Sequence, residues 1–119
     1  MPTFKNYTDY SIITYARVNS KRKKNELYQQ TQLLNKLYPN VEHIEEYASG
    51  MDYNRVGFYY IIQKIEQRQI KQIIALSDDI LLQFKFKQFK QFCFDHDCKI
   101  IIHNKKKYQK LSILYKVLE

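Results

Sequence analysis

Apolar residues recur along this chain in two alternating rhythms, short continuous runs and stripes spaced three or four apart. Residues 11–18 (SIITYARV) are apolar and β-branched between polar flanks, the pattern of a buried strand. Residues 25–38 follow, with Leu27, Leu34 and Leu37 on one helical stripe that Pro39 terminates. A second strand is predicted at 41–47. Beyond Ser49-Gly50, the spacing of Phe58, Ile61, Ile62 and Ile65 predicts a helix. Residues 72–76 and 99–103 read as a third and a fourth strand. Between them Leu82, Phe86, Phe89 and Cys93 are expected on one helical face, and Leu111, Leu114, Tyr115 and Leu118 form a last stripe.

Strands that alternate with helices at this spacing imply right-handed βαβ units. The expected fold class is α/β, a three-layer α/β/α domain with a mainly parallel sheet. Such a sheet carries its working residues beyond the carboxyl ends of its strands, where strand order reverses. Three loops fall there, at 17–24, 48–55 and 77–83. Each holds side chains suited to a phosphate: Arg17 with Asn19 and Ser20, then Arg55, then Asp78 with Asp79.

Size and charge narrow the classes further. At 119 residues the chain forms one domain, read as a tail at 1–10 and a folded unit at 11–119. No apolar run approaches the roughly 20 residues needed to cross a bilayer, and the N-terminus lacks a secretory core, so a soluble, cytoplasmic protein with no membrane partner is expected. Twenty Lys and Arg against twelve Asp and Glu leave a net charge of +8, which favours a polyanionic partner such as DNA. The run Lys21-Arg22-Lys23-Lys24 is the candidate phosphate-contacting stretch, with Lys105-Lys106-Lys107 a second cluster.

Cys93, His96, Cys98 and His103 lie close together, but their spacing matches no common zinc motif. Core packing and surface placement account for them, and no metal or cofactor is expected. The phenylalanines at 84, 86, 89, 92 and 94, interleaved with lysines, suit base stacking in principle. The helical spacing of Phe86 and Phe89 assigns those two to the core instead.

An ordered set of motifs then carries a resemblance. Tyr15-Ala16-Arg17-Val18-Asn19-Ser20 ends the first strand, and Leu27-x-x-Gln30 sits on the first helix. Ser49-Gly50 precedes Arg55-Val56-Gly57-Phe58, and Asp79-Ile80-Leu81-Leu82-Gln83-Phe84 follows the third strand. From about Ser11 to Asn104 the chain resembles the catalytic domain of serine recombinases, the resolvases and invertases, and within them the small serine-recombinase transposases. That resemblance implies DNA recombination or transposition by a serine that attacks a DNA phosphate, with an arginine cluster neutralising the transition state and no metal. Arg17 and Arg55 match two cluster arginines, and Asp79 matches the acidic residue that orients them.

The same alignment exposes what is missing. Asn19 stands at the attacking-serine position, and two further cluster arginines are replaced by Ile80 and Gln83. An amide nitrogen delocalised into its carbonyl is no nucleophile, and removing a nucleophile from a comparable constellation costs on the order of a millionfold in rate. Ser20 is the remaining candidate, but strand alternation points it away from Asn19, and the unbroken spacing to Leu27 and Gln30 matches it to the family's second, non-attacking serine. Relatives also add a helix-turn-helix domain and a long dimerisation helix, for which this chain is expected to have no counterpart. The expectation is therefore a degenerate, resolvase-like domain of mobile-element or viral origin, with an anion-binding pocket around Arg17 and Arg55, weak DNA binding, and itself or an active recombinase subunit as partner. An active recombinase using Ser20 and an interaction module without DNA are the alternatives. Arg17 and Arg55 have a structural reading too, as ion-pair partners of Asp78 or Asp79.

Overall fold

The computed structural model of the chain describes Tyr7 and residues 9–51 and 55–103. Four strands, β1 (Ile12–Val18), β2 (Glu42–Tyr47), β3 (Gln72–Ala75) and β4 (Lys99–Ile102), form one sheet in the order β2-β1-β3-β4, and every pairing is parallel. Parallel neighbours require crossovers, and the helices supply them: α1 (Lys24–Leu37), α2 (Val56–Glu66), then α3 (Asp78–Leu81) and α4 (Phe86–Asp95). This is the expected α/β class. The stripe at Leu111 to Leu118 lies outside the described residues.

Side-chain alternation sorts β1 between two faces. Tyr15 points toward α2 and α4, where its ring meets Phe58 at 6.2 Å and Phe58 meets Phe89 at 5.2 Å. Thr14 points toward α1; its Oγ1 lies 2.8 Å from His43 Nδ1, and His43 Nε2 lies 3.0 Å from Thr31 Oγ1 on that helix. Ile13, Ile73 and Ile74 are fully buried between these layers, which explains why the central strands read as continuous apolar runs. Leu27 and Leu34 of α1 and Phe58, Ile61 and Ile65 of α2 complete the core, whereas Leu37 and Ile62 remain partly exposed.

Two expectations need correction. Leu82 does not share a helix with Phe86, Phe89 and Cys93: it is extended (φ −150°, ψ 137°), and Lys85 in the left-handed region starts α4 afresh. Leu82 is buried all the same, so one apolar pattern is produced by two helices and the break between them. The segments 17–24 and 77–83 are also more regular than loops, since a 3-10 turn at Lys21–Lys23 leads into α1 and α3 follows Ser77.

Leu34 is fully buried beneath α1. Leu34→Ala is expected to cost about 2–5 kcal/mol, through lost transfer energy and the cavity left behind, measurable as a lower urea midpoint with unchanged slope.

Candidate functional site

Strand order reverses between β1 and β3, so the segments that leave their carboxyl ends meet at one point. Arg17 lies there, only 4% exposed. A charge taken from water must find substitute partners, and the surrounding backbone provides them. Arg17 Nε donates to the Ile80 carbonyl at 2.8 Å, Nη1 to the Ala48 carbonyl at 2.8 Å and to Asn19 Oδ1 at 2.5 Å, and Nη2 to the Asp79 carbonyl at 2.5 Å. One side chain thereby joins the ends of β1, β2 and β3.

Arg55 performs a related task from the other side. It is buried under α2, its Nη2 donates to the Leu81 carbonyl, and its guanidinium carbon lies 4.2 Å from the centroid of the Phe58 ring. Helix α3 has only four residues, and its last carbonyls find no acceptor role within it. Those of Asp79, Ile80 and Leu81 receive guanidinium donors in sequence, two from Arg17 and one from Arg55. Cations belong at the negative end of a helix, and two of them hold this one in place. The guanidinium groups of both arginines thus reach main-chain carbonyls, and the Asp79 carboxylate accepts the Ser77 hydroxyl.

The main chain of Arg17 is fixed as well. Gln30 Oε1 accepts the Arg17 N–H at 3.1 Å and Gln30 Nε2 donates to the Arg17 carbonyl at 3.0 Å. β3 pairs with β1 only as far as Thr14, so beyond that point the Gln30 amide stands in for a strand. Its signal in the sequence is a polar residue on the inner stripe of α1 between Leu27 and Leu34.

A second carboxylate organises the β2–α2 side. Glu46 accepts the backbone N–H of Gly57 at 2.9 Å and of Phe58 at 3.0 Å, capping α2, and also takes the Tyr15 hydroxyl. A Cβ on Gly57 would come within 2.8 Å of Ile44 Cγ2 and 3.0 Å of Glu46 Cδ, so the cap requires glycine. Burial pushes the Tyr15 hydroxyl well above the usual tyrosine range, which keeps it a donor to Glu46.

At the surface the switch point opens into a pocket of about 150 Å³, lined by Arg17, Val18, Asn19, Lys23, Glu26, Gln30, Asp79, Ile80 and Gln83. Four sequence-derived candidates, Arg17, Asn19, Lys23 and Asp79, thus come together. Ser20 is not among the lining residues; it is extended (φ −154°, ψ 163°) and opens the 3-10 turn. Arg55 is also absent from the lining and acts from beneath, through Leu81. Lys21, Arg22, Lys23 and Lys24 are exposed beside the pocket. Gly50 is the residue that lets the β2–α2 loop close over it: its carbonyl accepts from Gln83 N–H at 3.1 Å, and an added Cβ would lie 2.7 Å from Arg17 Nη2 and from Gln83 Cγ.

Elsewhere, Cys93 and Cys98 are buried free thiols, and the hydrogen bond that Cys93 makes to Cys98, reinforced by burial, pushes the Cys93 thiol up. Among the described residues no group of three or more His, Cys, Asp or Glu could hold a metal ion. Nor is any described helix long and apolar enough to cross a membrane.

A four-stranded parallel sheet with this site at its switch point has the fold of a serine-recombinase catalytic domain. The chain belongs to the family described as the resolvase N-terminal domain, whose model matches residues 12–112. Two proteins of Acanthamoeba polyphaga mimivirus that carry the name resolvase, R771 and R80, are 32% and 33% identical to it over 98 residues. Those alignments take in 82% of this chain and 52% of each relative, so the chain spans about half the length of the curated relatives it matches. The crystal structure of the first open reading frame product of transposon ISC1904 from Sulfolobus solfataricus P2 superposes with a TM-score of 0.72 at 28% identity, covering 77% of this chain and 66% of that one. The C-terminal catalytic domain of ISC1926 TnpA, an IS607-like serine recombinase, shares the fold at a TM-score of 0.71 and 21% identity, over 89% of this chain and 79% of that domain.

Two substitutions test the geometry. Arg17→Met leaves the carbonyls of Ala48, Asp79 and Ile80 without their donor and is expected to cost about 3 kcal/mol or more in denaturant unfolding, at about 1–3 kcal/mol for each acceptor that water does not reach. Gly50→Ala is expected to cost about 1–3 kcal/mol, because the exposed Gln83 side chain can swing away but Arg17 is pinned by its own bonds.

Proposed function

We propose that this domain serves DNA recombination or transposition without cutting DNA: it contacts DNA phosphates, or an active recombinase subunit, from a scaffold that lacks its nucleophile. The observation that carries the reading is the position of Asn19. It lines the Arg17 pocket, where the family's serine would attack, while Ser20 lies outside that lining at the start of the next turn. An amide there has no alkoxide to offer phosphorus.

The electrostatics support the same reading. Of the two other cluster positions, Ile80 is a buried core residue and Gln83 an uncharged one at the rim, so neither adds a cation for a pentavalent phosphoryl group. Arg17 and Arg55 direct donors to carbonyls of α3. The positive charge open to solvent is instead the exposed Lys21, Arg22, Lys23 and Lys24 on the 3-10 turn and the start of α1, a surface suited to phosphates.

A nicked suicide substrate decides between cutting and holding. The expected result is no covalent protein–DNA adduct, even after long incubation, and an adduct abolished by Ser20→Ala would establish an active enzyme instead. A labelled duplex at low salt is expected to bind weakly and reversibly. Its log affinity should fall with log salt at a slope of about −0.9 per phosphate neutralised, and replacing Lys21, Arg22, Lys23 and Lys24 by Gln should flatten that slope by up to about 3–4. Absence of duplex binding together with capture of an active recombinase would leave the partner role alone; absence of both would favour an interaction module unrelated to DNA.

A further inference from the structure

Four acceptors on the Arg17 guanidinium differ in how firmly they are held. Three are main-chain carbonyls, of Ala48, Asp79 and Ile80, which can withdraw only if α3 unwinds or the β2–α2 loop opens. The fourth is Oδ1 of Asn19, at the tip of an exposed side chain that turns on two single bonds. Of these four, it is the acceptor that a ligand entering the pocket can replace without disturbing the fold.

We propose that the Asn19 side chain is the specificity-determining residue of this pocket: its amide oxygen occupies the place on Arg17 Nη1 that a phosphate oxygen would take, and so tunes the site against anions. The proposal rests on the reading above that Asn19 stands in the pocket where the family's serine would meet a phosphate. The charge lining the pocket makes the competition close. Arg17 and Lys23 are offset by Glu26 and Asp79, so the lining has no net charge with which to draw an anion in. A tethered acceptor that is always present at contact distance competes at a high effective concentration. A phosphate must displace it, and must do so inside about 150 Å³ shared with two carboxylates. A serine at position 19, being shorter by one heavy atom and ending in a hydroxyl that can also donate, would not hold the guanidinium in the same way. The exchange to asparagine therefore closes the phosphate position as well as removing the attacking oxygen.

The test compares wild type with Asn19→Ala and Asn19→Asp, using inorganic phosphate as the probe and thermal shift or amide chemical shifts around Arg17 as readouts. Removing the competing oxygen is expected to tighten phosphate binding by about tenfold, the size of one charge-assisted hydrogen bond. Asn19→Asp, which places a full negative charge on Arg17, is expected to abolish it. Equal phosphate affinity in wild type and Asn19→Ala, or weaker affinity in Asn19→Ala, would overturn the proposal. A labelled duplex run in parallel separates this from the parent reading. If wild type binds the duplex and phosphate affinity ignores residue 19, only the present inference fails. If Asn19→Ala gains phosphate while no variant binds duplex, the DNA-binding reading fails and the anion site stands.

Discussion

A guanidinium can leave water only if other oxygens replace its hydration, and at Arg17 the replacement comes from backbone carbonyls of two different crossovers and from the side chain of Asn19 in a third. This requirement shapes the whole carboxyl end of the sheet. The β2–α2 loop must bring the Ala48 carbonyl inward, which Gly50 permits, and the chain after β3 must turn at once into a short helix that aims its carbonyls at β1. Gln30 holds the Arg17 backbone from the opposite face. Arg55 then fixes the next carbonyl of α3 from below, with Phe58 and Tyr15 as its apolar walls.

The same arrangement governs what the site can do chemically. Cations preorganised for phosphoryl transfer are useful only if their donors face the reacting group. Here the two buried arginines stabilise the scaffold, and the exposed lysines beside the pocket carry the positive charge that solvent and ligands meet. Structure and chemistry meet at Asn19, whose side chain lines the pocket and accepts a hydrogen bond from Arg17. A domain arranged in this way directs donors of both buried arginines to its own backbone.

Much of this was legible in the order of residues. Residues 11–18 read as a strand because they are largely β-branched and apolar, and β1 is that strand; of the loop residues picked out for a phosphate, Arg17, Asn19 and Asp79 share one pocket, while Ser20, Arg55 and Asp78 are not in its lining. Where the reading went astray, local patterning was ambiguous. Leu82, Phe86, Phe89 and Cys93 keep helical spacing, but the pattern records only which residues are buried, not that the backbone between them is extended at Leu82 and left-handed at Lys85. The carbonyl acceptors of Arg17 and Arg55 were not foreseen for a similar reason. A sequence displays carboxylates and hides carbonyls, although every residue has one.

By itself the sequence determined the alternation of strand and helix, the parallel sheet that follows from it, the family, and the presence of an amide rather than a hydroxyl at position 19, since each depends on side-chain identity and spacing along the chain. Only the tertiary structure decided which atoms Arg17 and Arg55 grip, that Ser20 lies outside the pocket that Asn19 lines, and that Gln30 completes a strand with its amide. Those outcomes rest on backbone groups identical at every position, whose availability is set by where each strand and helix ends in space.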